Sequence, residues 1–249
     1  MEIVLLTALG VGGATVVGAI IGFLTQKISH KFSDYVLGFA AGVMLSASVI
    51  GLIMPSVEIG NVYVAIIGVI VGAVVLNLID LFTPHLHNSG VGLEESHPKE
   101  NNRYSKILLF VLAIAIHNFP EGIAAGVGFG TGDNASAITI AIGIALQNIP
   151  EGMIIIAPMV AVGISKKKAL VIASLTGLIE VVGTLIGYFA VSISTAILPF
   201  ALAFAGGTML YIISDEMIPE THSHGNERGS TYAIIIGFCV MLLIDVLLG

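Results

Sequence analysis

The sequence predicts an all-α membrane protein with eight spanning helices, and three observations carry that prediction. The 249-residue chain is 56% hydrophobic and 10% charged, with mean hydropathy +1.04, whereas an ordinary soluble domain carries about 25% charged residues. Polar breaks divide it into eight apolar runs, each close to the roughly 20 residues that a helix needs to cross a bilayer. The basic residues fall only in alternate breaks.

The runs lie at about 3–25, 35–56, 62–83, 105–129, 136–162, 169–193, 197–219 and 231–248. The first begins after Met1-Glu2 without a basic leader segment, so it is expected to stay as a helix rather than be cleaved. The breaks carry turn-forming and polar residues: QKISHKFSD, PSVEIGN, HLHNSGVGLEESHPKENNRYSK, GTGDNAS, SKKK, a short STAILP link and ETHSHGNERGS. Lys27 and Lys31 occupy the first break, Lys99, Arg103 and Lys106 the third, Lys166 to Lys168 the fifth and Arg228 the seventh. Positive loops stay cytoplasmic, which places both termini outside the cytoplasm. Thirty glycines suit closely packed spanning helices. With no tryptophan, the interfacial aromatic belt rests on Tyr35, Tyr63, Tyr104 and Tyr232. The single cysteine, Cys239, excludes an intrachain disulfide and a thiolate metal cage.

The third break holds His85, His87 and His97, and the seventh His222 and His224. Such tracts read either as weak metal capture or as ordinary polar loops.

Ionisable groups deep in a span cost at least ~2.5 kcal/mol on insertion scales, which makes each a functional-site hypothesis. Among those in the runs, Glu121, Glu151 and Glu180 are central, whereas Asp245 falls near the headgroups. The fourth run carries HNFPEG at 117–122 and the fifth repeats it as QNIPEG at 147–152. His117 and Glu121 are four apart and share a helix face, as do Gln147 and Glu151. An imidazole, an amide oxygen and two carboxylates from neighbouring helices suit a divalent cation of borderline softness. Asn118 and Asn148 stand to reach a second ion, with Glu180 as the remaining buried anion. Pro120 and Pro150 are expected to kink both helices beside the site and free the carbonyls of Ile116 and Leu146.

The doubled motif resembles the paired helix-four and helix-five motifs of the ZIP (Zrt/Irt-like) metal transporters, most closely their prokaryotic GufA-like branch. The likeness covers most of the chain. It implies a single transport domain over 1–249 with a His-containing cytoplasmic loop at about 84–104, and a two-metal site halfway across the membrane. By that resemblance His117, Glu121, Gln147 and Glu151 hold the transported ion, while Asn118, Glu121, Asn148, Glu151 and Glu180 hold its neighbour. Related proteins often carry Asp in place of Asn148, which lowers the charge of the second position here. Met44 is similarly placed to join the first position, with ordinary packing an equal alternative. YIISDEMIPE resembles the acidic cytoplasmic exit, which makes Asp215 and Glu216 release residues, with Asp80 beside them or serving as a helix-end partner.

The resemblance further implies that spans 1, 4, 5 and 6 slide as an elevator against spans 2, 3, 7 and 8 in a homodimer. The expected cargo is Zn²⁺, with Fe²⁺, Mn²⁺, Cd²⁺ or Co²⁺ as other cations of similar chemistry, taken up across a prokaryotic inner or plasma membrane. The partners are thus metal ions and lipid, not nucleic acid. Gly10, Gly12, Gly13, Gly18, Gly38 and Gly42 suit a smooth sliding face or, equally, tight packing. The rival readings are a metal-gated channel and an intramembrane metalloenzyme. HExxH is absent and one histidine lies mid-membrane, so no enzyme is expected.

Overall fold

A computed structural model describes residues 1–25, 28–82, 115–161 and 163–248. Among these residues the fold is entirely helical, with eight helices in chain order. They are α1 (Glu2–Leu24), α2 (His30–Ile59), α3 (Val62–Phe82), α4 (115–128), α5 (Asn134–Ala161), α6 (Lys166–Ile193), α7 (Thr195–Thr221) and α8 (Glu227–Leu248). All except α4 are long and apolar enough to cross a membrane. The fourth expected span, 105–129, begins outside the described residues, and α4 is its described part.

Capping chemistry sets several boundaries closer together than the polar breaks suggested. The Ser165 hydroxyl accepts the Lys168 N–H at 3.4 Å, so Lys166 to Lys168 form the first turn of α6 rather than a loop. Ser29 caps α2 by accepting the Phe32 N–H at 3.2 Å. Asn61 Oδ1 accepts the N–H groups of Tyr63 and Val64 at 3.0 and 3.1 Å, which starts α3 one residue after Gly60 ends α2. Asp133 Oδ1 takes the Ala135 N–H at 2.9 Å at the head of α5, after Gly132 reverses the chain at φ 79°. Tyr63 and Tyr232, both near helix starts, are exposed as an interfacial belt requires.

Two prolines outside the doubled motif follow widened stretches of helix. α4 and α5 continue without a break through Pro120, Pro150 and Pro158. α2 widens into a π-helical stretch over Ala47–Ile53, just before Pro55, and α7 does so over Ile213–Met217, just before Pro219. A proline cannot donate and crowds the carbonyl four residues back, and a wider turn absorbs both effects. Around Pro120 and Pro150 the helices pack closely on their neighbours, with Gly122 against the Glu180 backbone and Gly152 against that of Thr15.

Glycine contacts sort the helices into two units. In the first, α1 lies on α5 and α6, with Gly12 against Gly177 and Gly18 against Ile149, while α4 lies on α6 through Gly126, Gly183 and Gly187. In the second, α2 pairs with α8 through Gly42 and Gly237, and α3 pairs with α7 through Gly72 and Gly207. Of the glycines read as a sliding face, Gly12, Gly18, Gly38 and Gly42 are therefore packed inside the units, and Gly10 and Gly13 face open space. Between the units lies an apolar core that includes Met44, Ala124, Ile144, Leu202 and Met209. Outward faces carry exposed Leu6, Ile70, Leu175, Ile193 and Val246, the surface that lipid covers.

Candidate metal site

The doubled motif brings its polar side chains together in the middle of the first unit. α4 supplies His117, Asn118 and Glu121, α5 supplies Gln147, Asn148 and Glu151, and α6 supplies Glu180. Glu121 is 1% exposed, and Gln147, Asn148 and Glu180 are 0% exposed, so bulk water reaches none of them. Buried polar groups must then find partners inside the protein or on a ligand.

The partners divide into three sets. Gln147 Nε2 donates to Glu121 Oε1 at 2.7 Å. Glu180 Oε1 accepts from the Thr15 hydroxyl and the Asn118 amide, and its Oε2 accepts from the Asn148 amide, which also reaches the Val11 carbonyl at 3.3 Å. His117 Nε2 lies 2.8 Å from Glu216 Oε1, and both side chains are about one-fifth exposed. Electrostatic contacts join these sets, since Glu121 interacts with Glu151 and Glu180, and Glu151 with His117 and Glu216. Three buried side-chain atoms here have no hydrogen-bond partner among the described residues: Glu121 Oε2, Gln147 Oε1 and Asn148 Oδ1. All three are oxygens, the atoms a hard or borderline cation completes. Among the described residues no three or more His, Cys, Asp and Glu side chains already encircle one point as metal ligands; Glu121 and Glu180 are turned towards amides and the Thr15 hydroxyl.

Other expected residues sit around this centre. Glu216 is half-buried and Asp215 exposed, both in the π-helical stretch of α7. Met44 is fully buried in the core between the units, where its backbone carbonyl accepts the Ser48 hydroxyl at 2.6 Å. The Asp80 side chain, His85, His87 and His97 lie outside the described residues. His222 and His224 are engaged in the structure. Nδ1 of His222 is 2.9 Å from the Ile218 carbonyl and its Nε2 3.1 Å from the Thr231 hydroxyl, while His224 Nδ1 is 2.9 Å from Asp34 and its ring stacks on His30. The His224 contacts fasten the α7–α8 turn to the head of α2, and those of His222 join the end of α7 to the start of α8. The sequence reading missed Thr15. Its only signal is a hydroxyl within GVGGATVVG, and nothing local distinguishes it from Thr7.

Fold and centre together define an integral membrane protein with three carboxylates gathered inside a helical bundle. Its relatives are equally specific. The family model described as ZIP Zinc transporter matches residues 94–245. The zinc transporter GufA of Myxococcus xanthus is 37% identical, over 98% of both chains. Zinc transporter ZIPB of Bordetella bronchiseptica is 35% identical over 95% of this chain and 78% of its own, and human zinc transporter ZIP11 31% over 95% and 94%. The chain belongs to the ZIP family, whose members are transporters rather than enzymes.

Proposed function

We propose that this protein is a single transport domain carrying divalent transition-metal cations, zinc foremost, into the cytoplasm through the centre between α4 and α5. The observation that carries the reading is the set of three buried, partnerless oxygens on Glu121, Gln147 and Asn148. Orphaned acceptors inside an apolar bundle cost about 1–3 kcal/mol each, and a bound dication offsets that cost. His117, Glu121, Gln147 and Glu151 are the ligands of the transported ion. Asn118 and Asn148 join Glu121, Glu151 and Glu180 around a neighbouring position, and Met44 stands beside the first. The names of the relatives support zinc as the cargo, and the ligand chemistry extends it to Fe²⁺, Mn²⁺, Cd²⁺ or Co²⁺.

Transport runs with eight spans and both termini outside the cytoplasm, the orientation supported by the sorting of basic residues. The first unit moves against the second as an elevator within a homodimer in a prokaryotic inner or plasma membrane. Two features support that motion: backbone packing is confined within the units, and the His117–Glu216 contact links a cargo ligand to a release residue across the gap. Asp215, and Asp80 at the end of α3, continue the release path.

In liposomes loaded with a zinc-sensitive dye, Glu121→Ala is expected to reduce uptake to the protein-free background. Flux equal to the unsubstituted protein removes the site assignment.

A further inference from the structure

Two carboxylates are fully buried at the centre, and their surroundings differ. Among the described residues Glu121 has a single side-chain donor, Gln147, and its Oε2 has none. Glu180 has donors on both oxygens, brought from α1, α4 and α5 onto α6 by Thr15, Asn118 and Asn148. A carboxylate so surrounded has much of its charge balanced by protein donors, and a cation must compete with them for its oxygens.

Three donors do not withdraw with equal ease. Each asparagine can turn its amide and offer oxygen where it now offers nitrogen, becoming a ligand in place of a competitor. A threonine in a helix usually directs its hydroxyl back to the carbonyl four residues earlier. For Thr15 that acceptor is Val11, and the Asn148 amide already reaches the Val11 carbonyl at 3.3 Å. The Thr15 backbone is also fixed, since it lies against Gly152 of α5. With that acceptor already shared, the Thr15 hydroxyl is held by Glu180 in this structure.

We infer that Thr15 is a positioning residue that keeps the position beside the transported ion closed, its hydroxyl competing with a cation for Glu180 Oε1. The inference rests on the proposed transport site and extends it, because it assigns control of the second position to a helix that supplies none of the expected ligands. Removing the hydroxyl leaves Oε1 one donor short in a dry environment, which is the condition under which a dication binds.

The test counts zinc bound per chain by the purified full-length protein in detergent after equilibrium dialysis, each variant read as its difference from the unsubstituted protein so that binding at other histidines cancels. Thr15→Val, which keeps the side chain's shape, is expected to hold one additional zinc per chain, and Thr15→Ser none. Adding Glu180→Gln to Thr15→Val should remove the increment. Thr15→Ala gives the same reading without added bulk should valine disturb the helix crossing. Unchanged zinc content in both hydroxyl-free variants overturns the inference, as does an equal increment in Thr15→Ser or one that survives Glu180→Gln. Failure of the transport site itself is a separate result: Glu121→Ala would then bind as much zinc as the unsubstituted protein.

Discussion

Contacts inside the two helical units and contacts between them are made of different atoms. Within each unit, the tightest helix crossings set glycine on backbone: Gly122 faces the Glu180 backbone, Gly126 that of Thr184, Gly42 that of Ile234 and Gly207 that of Val69. Across the gap, Gly51 meets the Ile140 side chain, and Gly143 meets the tip of Met241 and the Cβ of Ala47. Backbone against backbone is rigid and tolerates nothing larger than hydrogen, whereas methyl and thioether ends shift at little cost. The difference teaches that the molecule is stiff around the proposed cargo ligands and yielding at the surface where the proposed motion would carry one unit past the other.

Substitutions at matched glycines break or sharpen that contrast, and the largest effect is expected inside a unit. Gly122→Leu forces a side chain into the Glu180 backbone and should cost about 3 kcal/mol or more, seen as loss of monodisperse protein in detergent and a lower melting temperature. A well-folded Gly122→Leu protein would undo the clamped-unit picture. Next comes the polar contact across the gap. Glu216→Ala removes one partner of His117, at 2.8 Å; a hydrogen bond to a charged group is worth about 1.5–3 kcal/mol, so zinc flux should fall about tenfold and the melting temperature by a few degrees. Unaltered flux would mean that the contact plays no part in passing the ion onward.

Gly143→Ala probes the yielding side. Because the Met241 thioether can swing away, the stability change should stay under about 1 kcal/mol, with uptake slowed more than the melt is shifted. A penalty as large as that of Gly122→Ala in the same assay would erase the distinction between the two kinds of contact. The smallest effect belongs to the periphery. Asp133 is solvent-exposed at the head of α5, where the Ser136 hydroxyl and then the Ala135 N–H hold its carboxyl below the usual range. A lowered folded-state pKa contributes stability that is present above the unfolded value of about 3.9 and lost as pH falls through the folded one. Asp133→Ala should therefore lower the melting temperature slightly at pH 7, and the gap to the unsubstituted protein should close on acidification below about pH 4.

Much of this was legible in the chain because lipid is an unforgiving solvent. Apolar runs near 20 residues and polar breaks read directly as spans and turns, and seven of the described helices answer to them. The acids of HNFPEG and QNIPEG stood out for the same reason, being costly wherever they are not used. Helix ends were harder to read, since Ser165 draws three lysines into α6 by a single capping bond that composition does not reveal. Proline is a less readable signal: Pro55 and Pro219 follow π-helical stretches while helix runs on through Pro120 and Pro150, and the residue type alone does not distinguish the two outcomes.

By itself the sequence determined a helical membrane protein and the polar side chains at its middle, because burial in hydrocarbon selects residues by type and spacing. Tertiary structure alone decided which donor meets which carboxylate. Thr15 and Glu180 are 165 residues apart and share a hydrogen bond only because glycines let α1 settle against α5 and α6, and a bond between distant segments leaves no local pattern to read.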